Sequence, residues 1–150
     1  MTKKTCSPET KTIQLSRLDQ LIGYHLRRAQ NAVFDDFLKS MGNDAITPGQ
    51  FGVLTVIFEN QGLNQSALAK TIGIERSTMV GVIDGLEKRG FVVRKRSETD
   101  KRSYGLQLSL AGKDLLSRVT EKVCEHEKRL SANLTDKERS QLITILKKIG

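Results

Sequence analysis

Apolar positions between Ser16 and Met41 recur at helical spacing: Leu18, Ile22, Leu26, Ala29, Val33, Phe37 and Met41. Steps of three and four place them on one face, so the pattern predicts a long amphipathic helix that Gly42 ends. Thr47-Pro48-Gly49-Gln50 then supplies an N-cap, a proline at the first helical position and a glutamine in the capping-box position. The helix it starts should run through Phe51, Leu54, Ile57 and Phe58 to about Asn60. Asn64 is placed to cap a short helix carrying Ala67, Leu68 and Ile72, and Gly73 sits just past its end, where a left-handed residue is needed. A further helix is expected over 75–89, with core positions Met79, Val82, Ile83 and Leu86 and a stop at Gly90. Phe91-Val92-Val93-Arg94 and Tyr104-Gly105-Leu106-Gln107-Leu108 read as strands. Ser109 caps a second long helix to about Asn133, with Leu116, Val119, Val123, His126 and Leu130 on its inner stripe. Thr135 and Glu138 form a capping box for a last helix bearing Leu142, Ile145, Leu146 and Ile149.

Two short helices meeting at a glycine turn, then a two-stranded ribbon with a charged tip, make a winged helix-turn-helix. The expected fold is mainly α with a small β-wing. Residues 1–15, polar and carrying Pro8, read as a flexible tail; 16–46 and 109–150 as dimerisation helices; and 47–108 as the DNA-reading module of a single domain. The outer helices carry more apolar surface than one small module can cover. An obligate homodimer with intertwined terminal helices accounts for that economically; the alternative is an ordinary intramolecular helix pair.

Charge sharpens the picture. The formal net charge is +8, and Lys88 to Arg102 holds seven Lys/Arg against two Asp/Glu. A concentrated basic patch is what phosphate contact and counterion release require. With Met79 facing the core and 100° per residue, Ser77, Gly81, Asp84 and Lys88 fall on the outer face of the second motif helix, flanked by Thr78 and Val80. The N-terminal part of such a helix enters the major groove. There Ser and Thr can bond base edges or phosphates, and Val80 can meet a thymine methyl. The expected DNA contacts are Gln65, Ser66, Arg76, Ser77, Thr78, Val80, Gly81 and Lys88 on the helices, and Arg94, Lys95, Arg96, Asp100, Lys101 and Arg102 on the wing. Gly81 costs about 1 kcal/mol of helix propensity against Ala, which either permits close backbone approach to DNA or is merely tolerated. Asp84 repels phosphate unless a neighbouring arginine pairs with it. Asp100 either holds the wing turn or orients Arg102. A solvated charged hairpin with no DNA role is the competing account of the wing.

The two cysteines, Cys6 and Cys124, and two histidines, His25 and His126, offer no metal spacing, disulfide framework or nucleophile–base pair. Cys124 and His126, two apart on a helix, point about 200° apart and cannot grip one metal. Cys124 reads as a buried small apolar residue. The chain is therefore expected to be neither an enzyme nor a holder of metal or cofactor. No apolar segment follows Lys3 and Lys4, and no run approaches membrane-spanning length, so the expected location is the cytoplasm.

Leu68-Ala69, Arg76-Ser77-Thr78, Leu86-Glu87-Lys88-Arg89-Gly90, Arg94, and Asp100-x-Arg102 leading to Leu108-Ser109-x-x-Gly112 together closely resemble the multiple antibiotic resistance regulator (MarR) family, over about 17–149. The resemblance implies a homodimer that represses transcription from a pseudo-palindromic operator and is released by a small ligand. It also implies that the helix beginning at Glu75 reads the major groove and that Arg102 enters the minor groove. Many members carry Arg where this chain has Gly81, and a charged or larger residue at Gly85, so base preference should differ from theirs. Gly23-Tyr-His-Leu-Arg-Arg-Ala-Gln30 with Thr47-Pro48-x-Gln50-Phe51 is similar to the branch that controls aromatic-acid catabolism. That branch implies an aromatic carboxylate or aromatic acyl-CoA effector, for example of hydroxycinnamoyl type. Tyr24, His25 and Arg28 share a helix face, and Arg28 can pair with a carboxylate or phosphate. Phe51, Leu54 and Phe58 can supply apolar walls. The same six residues also suit a plain helical core or interface. A thiol-based redox-sensing repressor, and a winged-helix adaptor that binds protein rather than DNA, are the alternative functions.

Overall fold

Residues 16–96 and 104–149 are described by a computed structural model. The chain divides into two units, Met1–Ala32 and Val33–Gly150. In the first unit, the expected continuous helix from Ser16 is interrupted. Ser16–Gln20 is a 3-10 helix, and α1 (Ile22–Met41) starts only after Leu21. The junction closes tightly, with Leu21 N donating to Leu18 O at 3.0 Å. Tight i→i+3 turns of this kind are common at helix entrances. Leu18, Leu21 and Ile22 are 48%, 52% and 69% exposed, so no packing rewards a regular helix there.

In the second unit the helix-turn-helix builds on a capped helix. Gln50 N donates to Thr47 Oγ1 at 3.2 Å, and Thr47 N to Gln50 Oε1 at 3.1 Å. This is the expected box at the start of α2 (Pro48–Glu59), which buries Val53, Leu54 and Ile57. Asn64 Oδ1 accepts from Ala67 N at 2.8 Å and opens α3 (Gln65–Ile72). Gly73 follows at φ 74°, a left-handed turn that residues with a Cβ adopt only at a cost. The turn delivers α4 (Arg76–Lys88) against α3, with Met79, Ile83 and Leu86 buried and Val82 half-buried.

Strand β1 (Val92–Arg96) pairs antiparallel with β2 (Tyr104–Leu108), in the register Val92↔Leu108 and Arg94↔Leu106. On its other edge β2 bonds to the loop before α3: Leu106 N donates to Leu63 O at 2.9 Å, and Gly62 N to Leu106 O at 3.0 Å. The ribbon is thus laced through β2 to the loop that leads into α3. Ser109 then locks the ribbon to α5 (Leu110–Leu130): its Oγ donates to Gly90 O at 2.6 Å and accepts from Gly112 N at 3.0 Å. A Cβ on Gly112 would lie 2.0 Å from Phe91 O, so glycine is required where the helix start crosses the start of the ribbon. The core of this unit runs from Phe37 and Met41 through α2, α3, α4 and both strands to Leu115, Leu116 and Val119.

α5 stops at Leu130, short of the expected Asn133, because the chain tightens into turns with Ala132 N on Arg129 O and Leu134 N on Ser131 O. α6 (Asp136–Leu146) has the expected capping box of Thr135 and Glu138. None of its residues is buried, and Leu142, Ile143, Ile145 and Leu146 are 40–47% exposed. His126 is buried on the expected stripe, where its Nδ1 donates to Asp36 Oδ2 at 2.7 Å while its ring packs edge-on to Phe37. One expectation for α5 is corrected. Cys124 is exposed, not buried, since it falls on the helix side away from Val119 and His126.

Candidate nucleic-acid interface

The outer face of α4 carries Arg76, Ser77, Thr78, Val80, Gly81, Asp84 and Lys88, all exposed. Its N-cap, Glu75, makes no side-chain cap and instead accepts from Ser77 Oγ at 3.2 Å. No atom of another element lies within 4 Å of where a Cβ on Gly81 or Gly85 would sit. The fold itself therefore places no demand for glycine at either position. Ser66 is exposed at the start of α3. On β1, Lys95 and Arg96 are exposed. Asp100, Lys101 and Arg102 lie outside the described residues.

Arg94 and Gln65, expected among the DNA contacts, are brought together in a different role. Arg94 Nη2 lies 2.6 Å from Asp84 Oδ1 and donates to Gln65 Oε1 at 3.3 Å, while Nη1 pairs with Glu87. Asp84 and Glu87, three apart, fork from one side of α4, and Arg94 closes the fork from the ribbon. Its charge is matched inside the module, so Arg94 ties β1 to α4 and α3. The arginine partner expected for Asp84 is thereby present. Glu87 escaped the sequence reading, although its spacing from Asp84 was the available signal.

The expected effector residues fall in the two units. In the first, Arg28 Nη1 donates to Tyr24 OH at 3.4 Å and its guanidinium sits 5.7 Å from the Tyr24 ring centroid. His25 packs edge-on to Tyr24, and its Nε2 donates to Asp19 O at 2.8 Å. In the second, Phe51 and Phe58 line a cavity of about 510 Å³ between α2 and α5, with Thr55, Lys113, Leu116 and Thr120. Leu54 is not part of that wall, a correction to the sequence reading. It is wholly buried, about 60° round α2 from Phe51 towards Ile57 at 100° per residue.

A model of the MarR family matches residues 46–104. The chain is 41% identical over 129 residues, 85% of its length and 78% of the other's, to a protein assigned as the transcriptional regulatory protein for the hcr operon of Thauera aromatica. Among solved structures it is similar to the transcriptional repressor CouR bound to a 23-mer DNA duplex, with a TM-score of 0.87, 40% identity, and coverage of 93% of this chain and 99% of that one. It is also similar to CouR bound to p-coumaroyl-CoA, with a TM-score of 0.85, 39% identity, and coverage of 92% and 97%. The chain belongs to the MarR family of transcriptional regulators.

Proposed function

We propose that the chain is a dimeric transcriptional repressor that an aromatic carboxylate or aromatic acyl-CoA thioester, of hydroxycinnamoyl type, releases from its operator. The observation that carries this reading is the exposed hydroxyl-bearing face of α4 beside a basic ribbon, in a chain 40% identical to a repressor solved on a duplex. Residues 47–108 read DNA; 16–46 and 109–150 pair two copies. The pairing is supported by the apolar residues of α6, Leu142, Ile143, Ile145 and Leu146, which the described residues leave 40–47% exposed. Ser77, Thr78 and Val80 meet base edges. Ser66, Arg76, Lys88, Lys95, Arg96 and Lys101 meet phosphates, and Arg102, by the family resemblance, reaches the minor groove. Two reading helices address half-sites about 34–36 Å apart.

Phe51 and Phe58 in the α2–α5 cavity supply an apolar surface for the effector's ring; the Tyr24, His25 and Arg28 cluster of the first unit, taken by itself, suits an anionic group. To move occupancy from 99:1 to 1:99 the effector must favour the released state by about 5.5 kcal/mol. The test is a gel-shift titration against duplex DNA at rising salt, repeated with p-coumarate and with p-coumaroyl-CoA. A steep negative log–log salt slope and release by one of the two compounds are expected. A slope near zero would remove DNA binding and favour the adaptor reading.

A further inference from the structure

The C-terminal end of α4 is held by a contact that the DNA face does not account for. Arg89, the residue after the helix, turns back along the chain. Its Nη2 donates to Asp44 O at 2.9 Å and its Nη1 to Ala45 O at 3.0 Å. Its guanidinium lies 4.8 Å from the Phe91 ring centroid. A planar fork gripping two successive carbonyls fixes orientation as well as distance, which a lysine ammonium cannot do.

The carbonyls it grips belong to a loop that is itself anchored. Gly42–Asp44 is a single 3-10 turn closing α1, and Ala45 then holds φ 46° and ψ 51°, a left-handed conformation disfavoured for any residue with a Cβ. The Asp44 carboxylate is clasped from α5 by Lys122 Nζ at 2.5 Å and Arg118 Nη2 at 3.2 Å. Lys122 Nζ also donates to Met41 O at 2.9 Å, at the end of α1. The loop is thus a fixed point where α1 and α5 meet. Among the described residues, Arg89 makes the only side-chain hydrogen bonds that run from α4 or its cap to this frame.

We infer that Arg89 is a positioning residue for operator recognition: it pins the far end of the reading helix to the α1–α5 frame, and so sets the angle at which the near end enters the groove. This rests on the proposed function. It assigns Arg89 no contact with DNA, although it stands in the most basic stretch of the chain.

The test uses the full chain and a duplex selected by the unaltered protein from a randomised pool. If the unaltered protein selects none, it is the proposed function that fails. Arg89→Lys keeps the charge and loses the fork, and should lower affinity for the selected duplex tenfold or more. Affinity for a random duplex should hold, and Arg89→Gln should leave the salt slope of random binding unchanged. Asp44→Asn leaves Arg89 and its acceptors in place but loosens the loop from α5. It should show the same selective loss, and it keeps the test alive if an Arg89 variant does not fold. Selected-duplex binding by Arg89→Lys equal to the parent's overturns the inference, because charge alone would then suffice. A salt slope shallower by about 0.9 in Arg89→Gln overturns it too, for that is the mark of one lost phosphate contact.

Discussion

Gly81 and Gly112 look alike in the sequence and mean opposite things in the structure. Gly112 is demanded by the fold, because Phe91 O occupies the space of its Cβ. Gly81 faces open space on a helix whose propensity it lowers. We expect Gly81→Ala to raise folding stability by about 1 kcal/mol, measured by urea unfolding, and to weaken binding to the selected duplex in a gel shift. A variant that is more stable and binds equally well would leave Gly81 without a role in recognition. The sequence could flag both glycines but not separate them, since the difference lies in what crosses each position from another part of the chain. Arg89 is a similar case: its tie spans forty-four residues, and no local spacing announces it. Asp84 was more legible, because a carboxylate on a DNA-facing helix asks for a cation, and Arg94 supplies it.

The elements themselves were readable wherever local chemistry decides. Capping boxes at Thr47 and Thr135, caps at Asn64 and Ser109, and the left-handed Gly73 all formed as their residue types require. Tertiary context decides elsewhere: at Leu21, where the expected helix is interrupted and, among the described residues, the apolar positions stay exposed, and at His126, whose place in the stripe is as expected but does not announce its polar tie between α1 and α5. That tie has a pH signature. The hydrogen bond from His126, reinforced by Arg129, holds the Asp36 carboxyl below the ordinary carboxylate range. A carboxyl with a folded pKa below its unfolded value stabilises the fold above about pH 4 and loses that contribution as pH falls through the lowered value. Asp44 is shifted the same way, chiefly by Lys122. Unfolding measured from pH 6 down to pH 3 should therefore show stability falling at the acid end. Asp36→Asn should be less stable than the parent at pH 6 and show a flatter acid limb. Parallel curves for the two proteins would mean that the pair contributes nothing to folding.

Across the whole molecule, the positive charge that suggested DNA is unevenly shared. α4 holds two basic residues, Arg76 and Lys88, against two acidic ones, Asp84 and Glu87, whereas Arg94 to Arg102 holds five against two. By sequence α4 carries no net charge, and the excess lies in the stretch from Arg94 to Arg102. On the proposed function, arrival and judgement are expected to be separate events, with long-range attraction through the wing setting how fast the protein meets any duplex and short-range fit at α4 setting how long it stays. In stopped-flow kinetics, Lys95→Gln with Arg96→Gln should slow association and reduce its salt sensitivity, whereas Thr78→Val should act on dissociation. Equal effects of both changes on both rates would count against the division. On the same reading, a helix with no net charge of its own should leave wrong sequences quickly, so Asp84 and Glu87 are expected to make the search for a target faster by making each mistaken stop shorter.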